Sequence, residues 1–227
     1  RIMKLLGTSY KIDKSNKSGK GFLTAILYLS PASESGYQLC PFRSSACEAA
    51  CLGHSSGLMV MPASKQARIN RTVLLMTDRQ SFGTTIKKEI AALERKAAKL
   101  GLLPAIRLNG DSDVRWDVMT FDGLTLMQSF PNVQFYDYTK WPVQFRPDSD
   151  IHLTFSRSEK TTLSEIQENL DKGRNVAVVF HHVPTTWQGW TVIDGDADDL
   201  RFLDPAGVTV GLKAKGRAKR DTSGFVV

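Results

Sequence analysis

The stretch Phe22-Leu-Thr-Ala-Ile-Leu-Tyr-Leu29 is almost unbroken in its apolar character. A strand with one face in water alternates apolar and polar residues, whereas a strand covered on both faces does not. This run therefore predicts a strand of a parallel sheet with chain packed above and below it. Five more short apolar runs follow at 105–108, 133–138, 151–155, 176–180 and 208–212, with helix-like segments or longer loops between most of them. Six strands in such alternation predict a parallel α/β architecture, either an open sheet or a full or partial barrel.

Around this frame the punctuation is readable. Residues 11–20 are polar and turn-rich, which predicts a surface loop before the first strand. From Ser64 the spacing turns helical, with Ser64 capping a first helix and Asp78 a second, whose apolar positions Phe82, Ile86, Ile90, Leu93 and Ala97 end at Gly101. Thr161 or Thr162 caps a helix that presents Leu163, Ile166 and Leu170 on one face and stops at Gly173. The runs 191–193 and 200–203 are expected to pair as a short hairpin around the acidic stretch 194–199. No internal repeat, low-complexity tract or linker interrupts residues 1–227, so they are expected to form one α/β domain with a cysteine loop at 40–54.

The chain has 227 residues, of which 41% are hydrophobic, enough to build a core without disulfides. No apolar run approaches the roughly 20 residues that span a bilayer, and the first residues lack a signal-peptide core. A formal charge of +7 raises the question of nucleic acid. Five cations crowd 213–220 and five lysines are spread over 4–20, with no nucleic-acid motif beside them, so the expectation is a pair of solvated basic termini.

All three cysteines fall within Cys40-Pro-Phe-Arg-Ser-Ser-Ala-Cys47-Glu-Ala-Ala-Cys51. An odd number of thiols crowded into one short segment is a poor disulfide framework and a good soft-metal ligand set. Three thiolates can hold three irons of a [4Fe-4S] cluster and leave the fourth open. Alternatively, His54 joins them in a tetrahedral Cys3His zinc site, although the usual CxxC knuckle is missing. Buried thiols without metal are the third reading.

Ligands of parallel α/β folds bind at the C-terminal strand ends. There the sequence places Cys40, Cys47 and Cys51 after the first strand and Asn109, Asp111 and Asp113 after the second. Asp137 and Lys140 follow on the third, Ser156 and Arg157 on the fourth, His181 and His182 on the fifth, and Lys213 and Lys215 on the sixth. The two histidines should point to opposite sides of their strand. Asp194, Asp196 and Asp198 have the spacing of a calcium loop but lack its glycine and closing glutamate, so a solvated turn is expected. Trp116, Trp141, Trp187 and Trp190 read as core or rim packing.

The segments 40–52, 66–68, 71–72, 107–110, Tyr136-Asp-Tyr-Thr-Lys140, Asp204-Pro and Gly211-Leu-Lys-Ala-Lys-Gly216 together resemble a family of functionally unassigned tailed-bacteriophage proteins with a three-cysteine motif. More distantly, the strand count and cysteine position are similar to those of the radical SAM enzymes. That resemblance implies a partial (βα)6 TIM-like barrel with a cluster in the loop after strand one. The spacing here is Cys-x6-Cys-x3-Cys rather than Cys-x3-Cys-x2-Cys, and the Gly-Gly-Glu element that binds S-adenosylmethionine (SAM) is absent.

These readings combine into one expectation, a phage-encoded protein of the host cytoplasm with one [4Fe-4S] cluster on Cys40, Cys47 and Cys51. Its open iron would serve a small-molecule substrate in radical SAM-like or non-redox sulfide-releasing lyase chemistry. Asp111, Asp137, Lys140 and His181 are the catalytic candidates, and Asn109 and Arg157 the cofactor-binding candidates. The alternative is a structural Cys3His zinc protein that binds nucleic acid or a host protein through basic termini, with no membrane partner in either case.

Overall fold

The computed structural model describes residues 3–227. In chain order it runs β1 (Leu6–Gly7), α1 (Tyr10–Asn16), β2 (Phe22–Leu27), α2 (Ser45–Ala49), α3 (Leu52–Ser55), α4 (Pro62–Thr77), α5 (Arg79–Lys99) and β3 (Leu103–Arg107). It continues with α6 (Leu126–Ser129), β4 (Gln134–Thr139), β5 (His152–Ser156), α7 (Leu163–Asp171), β6 (Val176–Phe180), β7 (Thr186–Trp187), β8 (Trp190–Asp194) and β9 (Thr209–Lys213). Short 3-10 turns occur at Gly57–Val60, Val143–Phe145, Arg201–Leu203 and Gly216–Arg220. No helix among the described residues is long and apolar enough to cross a membrane.

All strands join one nine-stranded sheet in the order β1-β2-β3-β4-β5-β6-β9-β8-β7. The six expected strands are present and pair in parallel from β2 to β9. The sheet is open, which corrects the partial TIM-like barrel. Each edge is a two-residue strand paired antiparallel to its neighbour, β1 on β2 and β7 on β8. Short edge strands of this kind end the ladder instead of passing it on.

Both faces of β2 are covered, as its composition requires. On one side α4 and α5 place Leu75, Phe82, Ile86 and Ile90 against Leu27, Ile106, Phe135 and Leu153. Each fully buried side chain of this size contributes about 1.5–3 kcal/mol. Asp78 caps α5 by accepting the Ser81 N–H, and Gly101 (φ 67°) follows its last turn. Thr162 and Glu165 form a reciprocal capping box on α7, whose Ile166 and Leu170 pack on β6.

The other face is covered by α1 and the segment 195–204, and here the sequence misled. Residues 10–16 form a helix capped by Ser9 with Ile12 fully buried, not a surface loop. A seven-residue helix has room for a single apolar anchor, too few for a visible period. Residues Arg201–Leu203 form a 3-10 turn, so the expected hairpin does not exist. Instead β8 turns back on β7 across Gln188 and Gly189, both with positive φ as a tight hairpin turn needs, and pairs in parallel with β9. Helix α4 begins at Pro62 rather than at a Ser64 cap, with the proline supplying the preset φ of a first helical position.

The acidic stretch is not a solvated turn either. Asp198 and Asp199 are buried, with Asp198 paired to Lys20 at 2.5 Å and Asp199 to Lys11 at 3.1 Å. Asp199 also meets Arg107 at 3.4 Å, and Asp196 holds Lys215 at 2.6 Å. Burial pushes the Asp199 carboxyl up, but Arg107 and Lys11 together bring it below its ordinary value. Lys11 and Lys20, two of the five N-terminal lysines, are thus counter-charges to buried carboxylates, while Lys4, Lys14 and Lys17 are exposed.

Gly110, where the chain leaves β3, donates its N–H to the Leu27 carbonyl at 2.9 Å and lies against the Tyr28 ring. A Cβ there would stand 2.9 Å from the Leu27 carbonyl oxygen. Gly110→Ala should therefore lose about 1–3 kcal/mol of stability in denaturant unfolding; a change within about 0.5 kcal/mol, the ordinary surface range, would show that the two loops are not held this closely.

Candidate functional site

The cysteine segment is shaped by local capping. Ser44 accepts the Cys47 N–H at 3.0 Å and so starts α2, while Arg43 closes on Glu48 at 2.6 Å. Cys40 lies in the turn before α2, and its sulfur accepts the Ala32 N–H at 3.4 Å. Cys51 sits between α2 and α3. The small residues Ala46 and Ala50 let α2 settle on Ala214, Ala218, Phe225 and Val226 of the C-terminal segment, which therefore forms one wall of the site.

The three thiols are free, half-buried and close enough to influence one another electrostatically. Burial pushes Cys40 and Cys51 up to about 12, and neighbouring Asp113 and Asp111 push the same way. Cys47 is also raised by burial, against the pull of Lys140. A nucleophilic cysteine needs the opposite shift. Among the described residues, no group of three or more His, Cys, Asp or Glu side chains is close enough to hold a metal ion. His54 turns its Nδ1 to Glu34 at 3.4 Å.

The strand-end residues divide into braces and exposed groups. Asn109 donates its backbone N–H and Nδ2 to the two oxygens of Asp137, at 2.8 and 3.2 Å. Its Oδ1 accepts from Ser112, Val114 and Trp116. Asn109 is therefore saturated by the protein itself and shapes the loop that follows β3. Lys140 is likewise occupied, with Nζ donating to the Ser156 carbonyl and hydroxyl and to the Arg157 carbonyl. Arg157 donates to the carbonyls of Gly224 and Phe225 and lies over the Trp187 ring. His181 and His182 do not alternate on a strand; both are exposed in the bend after β6, and the His181 N–H pairs with the Val227 carbonyl. Trp116 is fully buried, and Trp141, Trp187 and Trp190 are half-buried at the rim.

Asp111 differs from these. Its side chain is buried beside Cys51, its backbone carbonyl faces the Cys40 sulfur at 3.7 Å, and its Oδ2 has no hydrogen-bond partner. Burial pushes its carboxyl up to about 6, against the pull of Arg68 and Arg107. Arg68 is a residue that sequence reading passed over. It is fully buried on α4, donates to the carbonyls of Gly53 and Met59, and approaches Glu34 and Asp111 at 3.8 and 3.9 Å. Its place in the Gln-Ala-Arg segment was the available signal, but one cation on an exposed-looking helix does not announce burial.

Asp137 is pushed by burial up to about 7 despite Arg107 and its Asn109 bonds. Its folded value lies above the unfolded one, so its contribution favours the fold below about pH 4 and is lost as pH rises towards about 7. Asp137→Asn should accordingly flatten the decline in stability between about pH 4 and pH 7, measured by denaturant midpoints. An unchanged decline would place its source elsewhere.

Residues 3–227 match the family described as gene product 88. No curated protein and no solved structure matches the chain. The match fits the phage-protein resemblance carried by the cysteine segment, and nothing in it points to the radical SAM enzymes. Because it runs through every element of the sheet and the whole cysteine segment, the chain belongs to the gene product 88 family.

Proposed function

We propose that the protein binds a [4Fe-4S] cluster through Cys40, Cys47 and Cys51 and leaves one iron open to a small substrate, in the reducing cytoplasm of a phage host. The observation that carries this reading is the gathering of three free thiols at the C-terminal edge of a parallel sheet, near enough to feel one another's charge. A cluster spreads its thiolates over separate irons, whereas a single zinc needs all its donors at one point. Three thiols within twelve residues and the lack of a CxxC knuckle favour the first. His54, the fourth donor of a zinc site, is turned to Glu34.

When bound, a cluster with an open iron supplies a Lewis acid for a substrate sulfur or hydroxyl. The chain's own residues then narrow the catalytic candidates. Lys140, Arg157, Asn109 and Asp137 are committed to bonds within the protein and act as positioning residues that fix the strand ends. Asp111, whose Oδ2 accepts no hydrogen bond and lies 3.9 Å from Arg68, and whose carboxyl is raised to about 6, is the group suited to hold or move a proton beside the substrate. Of the two reaction classes, non-redox lyase chemistry fits better, because the SAM-binding Gly-Gly-Glu element is missing.

Protein purified without oxygen should be brown, and Cys40→Ala, Cys47→Ala and Cys51→Ala should each abolish the colour while His54→Ala keeps it. Colourless protein that loses zinc in His54→Ala as fully as in the cysteine variants would replace the cluster by a Cys3His site. A small thiol added to the brown protein should change its EPR spectrum after reduction; an unchanged spectrum would mean that no iron is open.

A further inference from the structure

We propose that the rim of the cysteine segment binds single-stranded nucleic acid, with phosphates on the C-terminal basic turn and bases on an exposed aromatic cluster. The two basic regions of the chain, alike in sequence, differ in the fold. Lys11 and Lys20 are spent on Asp199 and Asp198, and Lys215 on Asp196. Lys213, Arg217, Lys219 and Arg220 are exposed and make no ion pair among the described residues. Like charges crowded on one short turn repel one another, a cost that a polyanion relieves.

This turn is not a loose tail. Ala214 and Ala218, each 4% exposed, fasten it to Ala46 of α2 and to Ala50 just after it, and Gly216 approaches Ser55 so closely that a Cβ would stand 2.7 Å from the Ser55 carbonyl oxygen. The cations are therefore presented from a fixed position on the cysteine segment. From the same segment projects Phe42, 38% exposed, which meets Trp141 at 4.7 Å and Phe145, 53% exposed, at 5.8 Å between ring centroids. Arg115, paired with Asp117 at 2.9 Å, lies over the Trp141 ring at 5.2 Å. Open rings and unpaired cations carried by one segment are what single strands use, since unstacked bases offer π faces and their phosphates follow the positive charge. A duplex keeps its bases stacked and would leave the rings unused. The inference does not depend on the cluster and can be tested on protein with or without metal.

The test is fluorescence anisotropy of a labelled mixed-sequence single-stranded DNA as salt is varied. Each phosphate-contacting cation contributes about 0.7 to the slope of log affinity against log salt on single strands. The variant Lys213→Gln, Arg217→Gln, Lys219→Gln, Arg220→Gln should therefore be shallower by about 2 to 3. A charge-matched variant of exposed α5 residues, Lys88→Gln, Arg95→Gln, Lys96→Gln, Lys99→Gln, should leave the slope as it is. Phe42→Ala with Phe145→Ala should weaken binding roughly tenfold and leave the slope unchanged. No binding at low salt, equal losses in the α5 variant, or tighter binding to duplex DNA or to anionic vesicles would each overturn the proposal.

Discussion

The contact on which the site depends is the bracket between Asn109 and Asp137. Two donors of one residue meet both oxygens of the other, tying the end of β3 to β4 in a buried position. With its remaining oxygen Asn109 gathers Ser112, Val114 and Trp116, which forces the chain after β3 into a tight loop. That loop sets Asp111 against Cys40 and Cys51, and its Asp113 N–H donates to the Leu39 carbonyl beside Cys40. Asp113 in turn accepts from Thr139 and the Lys140 N–H at the end of β4. The cysteine segment thus rests on a floor of hydrogen bonds whose geometry is fixed before any ligand arrives. Buried polar networks of this kind, when satisfied, specify one arrangement.

Electrostatics organises the opposite face of the sheet. Asp198 and Asp199 gather Lys11, Lys20, Arg107 and Arg201 beneath α1, so the first and last thirds of the chain, whose strands do not pair with each other, are joined through charge. Breaking one member of such a set is costly because its partners remain buried and unpaired. The same arrangement consumes N-terminal cations that composition alone presents as free, and leaves the positive charge of the C-terminal turn at the cysteine rim.

Much of the sheet was legible because its six main strands are buried on both faces and their apolar runs stand out. The caps at Asp78 and Thr162 and the stop at Gly101 were legible for the same local reasons. Closure was not, since whether a parallel sheet ends or joins itself depends on edge pairs as short as β1 and β7, which carry no periodic signal. Helix α1 and the acidic segment were misread because their partners lie far away in sequence: Asp199 looks solvated until Lys11 and Arg107 are placed beside it. At the site, the grouping of the cysteines with Asp111 followed from strand-end logic. The roles of Asn109, Lys140 and Arg157 did not, because a polar residue at a strand end looks the same whether it faces a ligand or another loop. The opposite pointing expected of His181 and His182 does not arise, since β6 ends at Phe180 and both residues lie in the bend after it.

The central claim is that three thiols hold one iron-sulfur cluster. It is tested most directly by iron, acid-labile sulfide and zinc analysis, with Mössbauer spectroscopy, of iron-57-enriched protein prepared without oxygen. The account predicts about four irons and about four sulfides per chain with the spectrum of a [4Fe-4S] cluster, one iron being distinct from the other three. One zinc per chain with no sulfide, or no metal at all in protein whose three thiols all titrate as free, would contradict it.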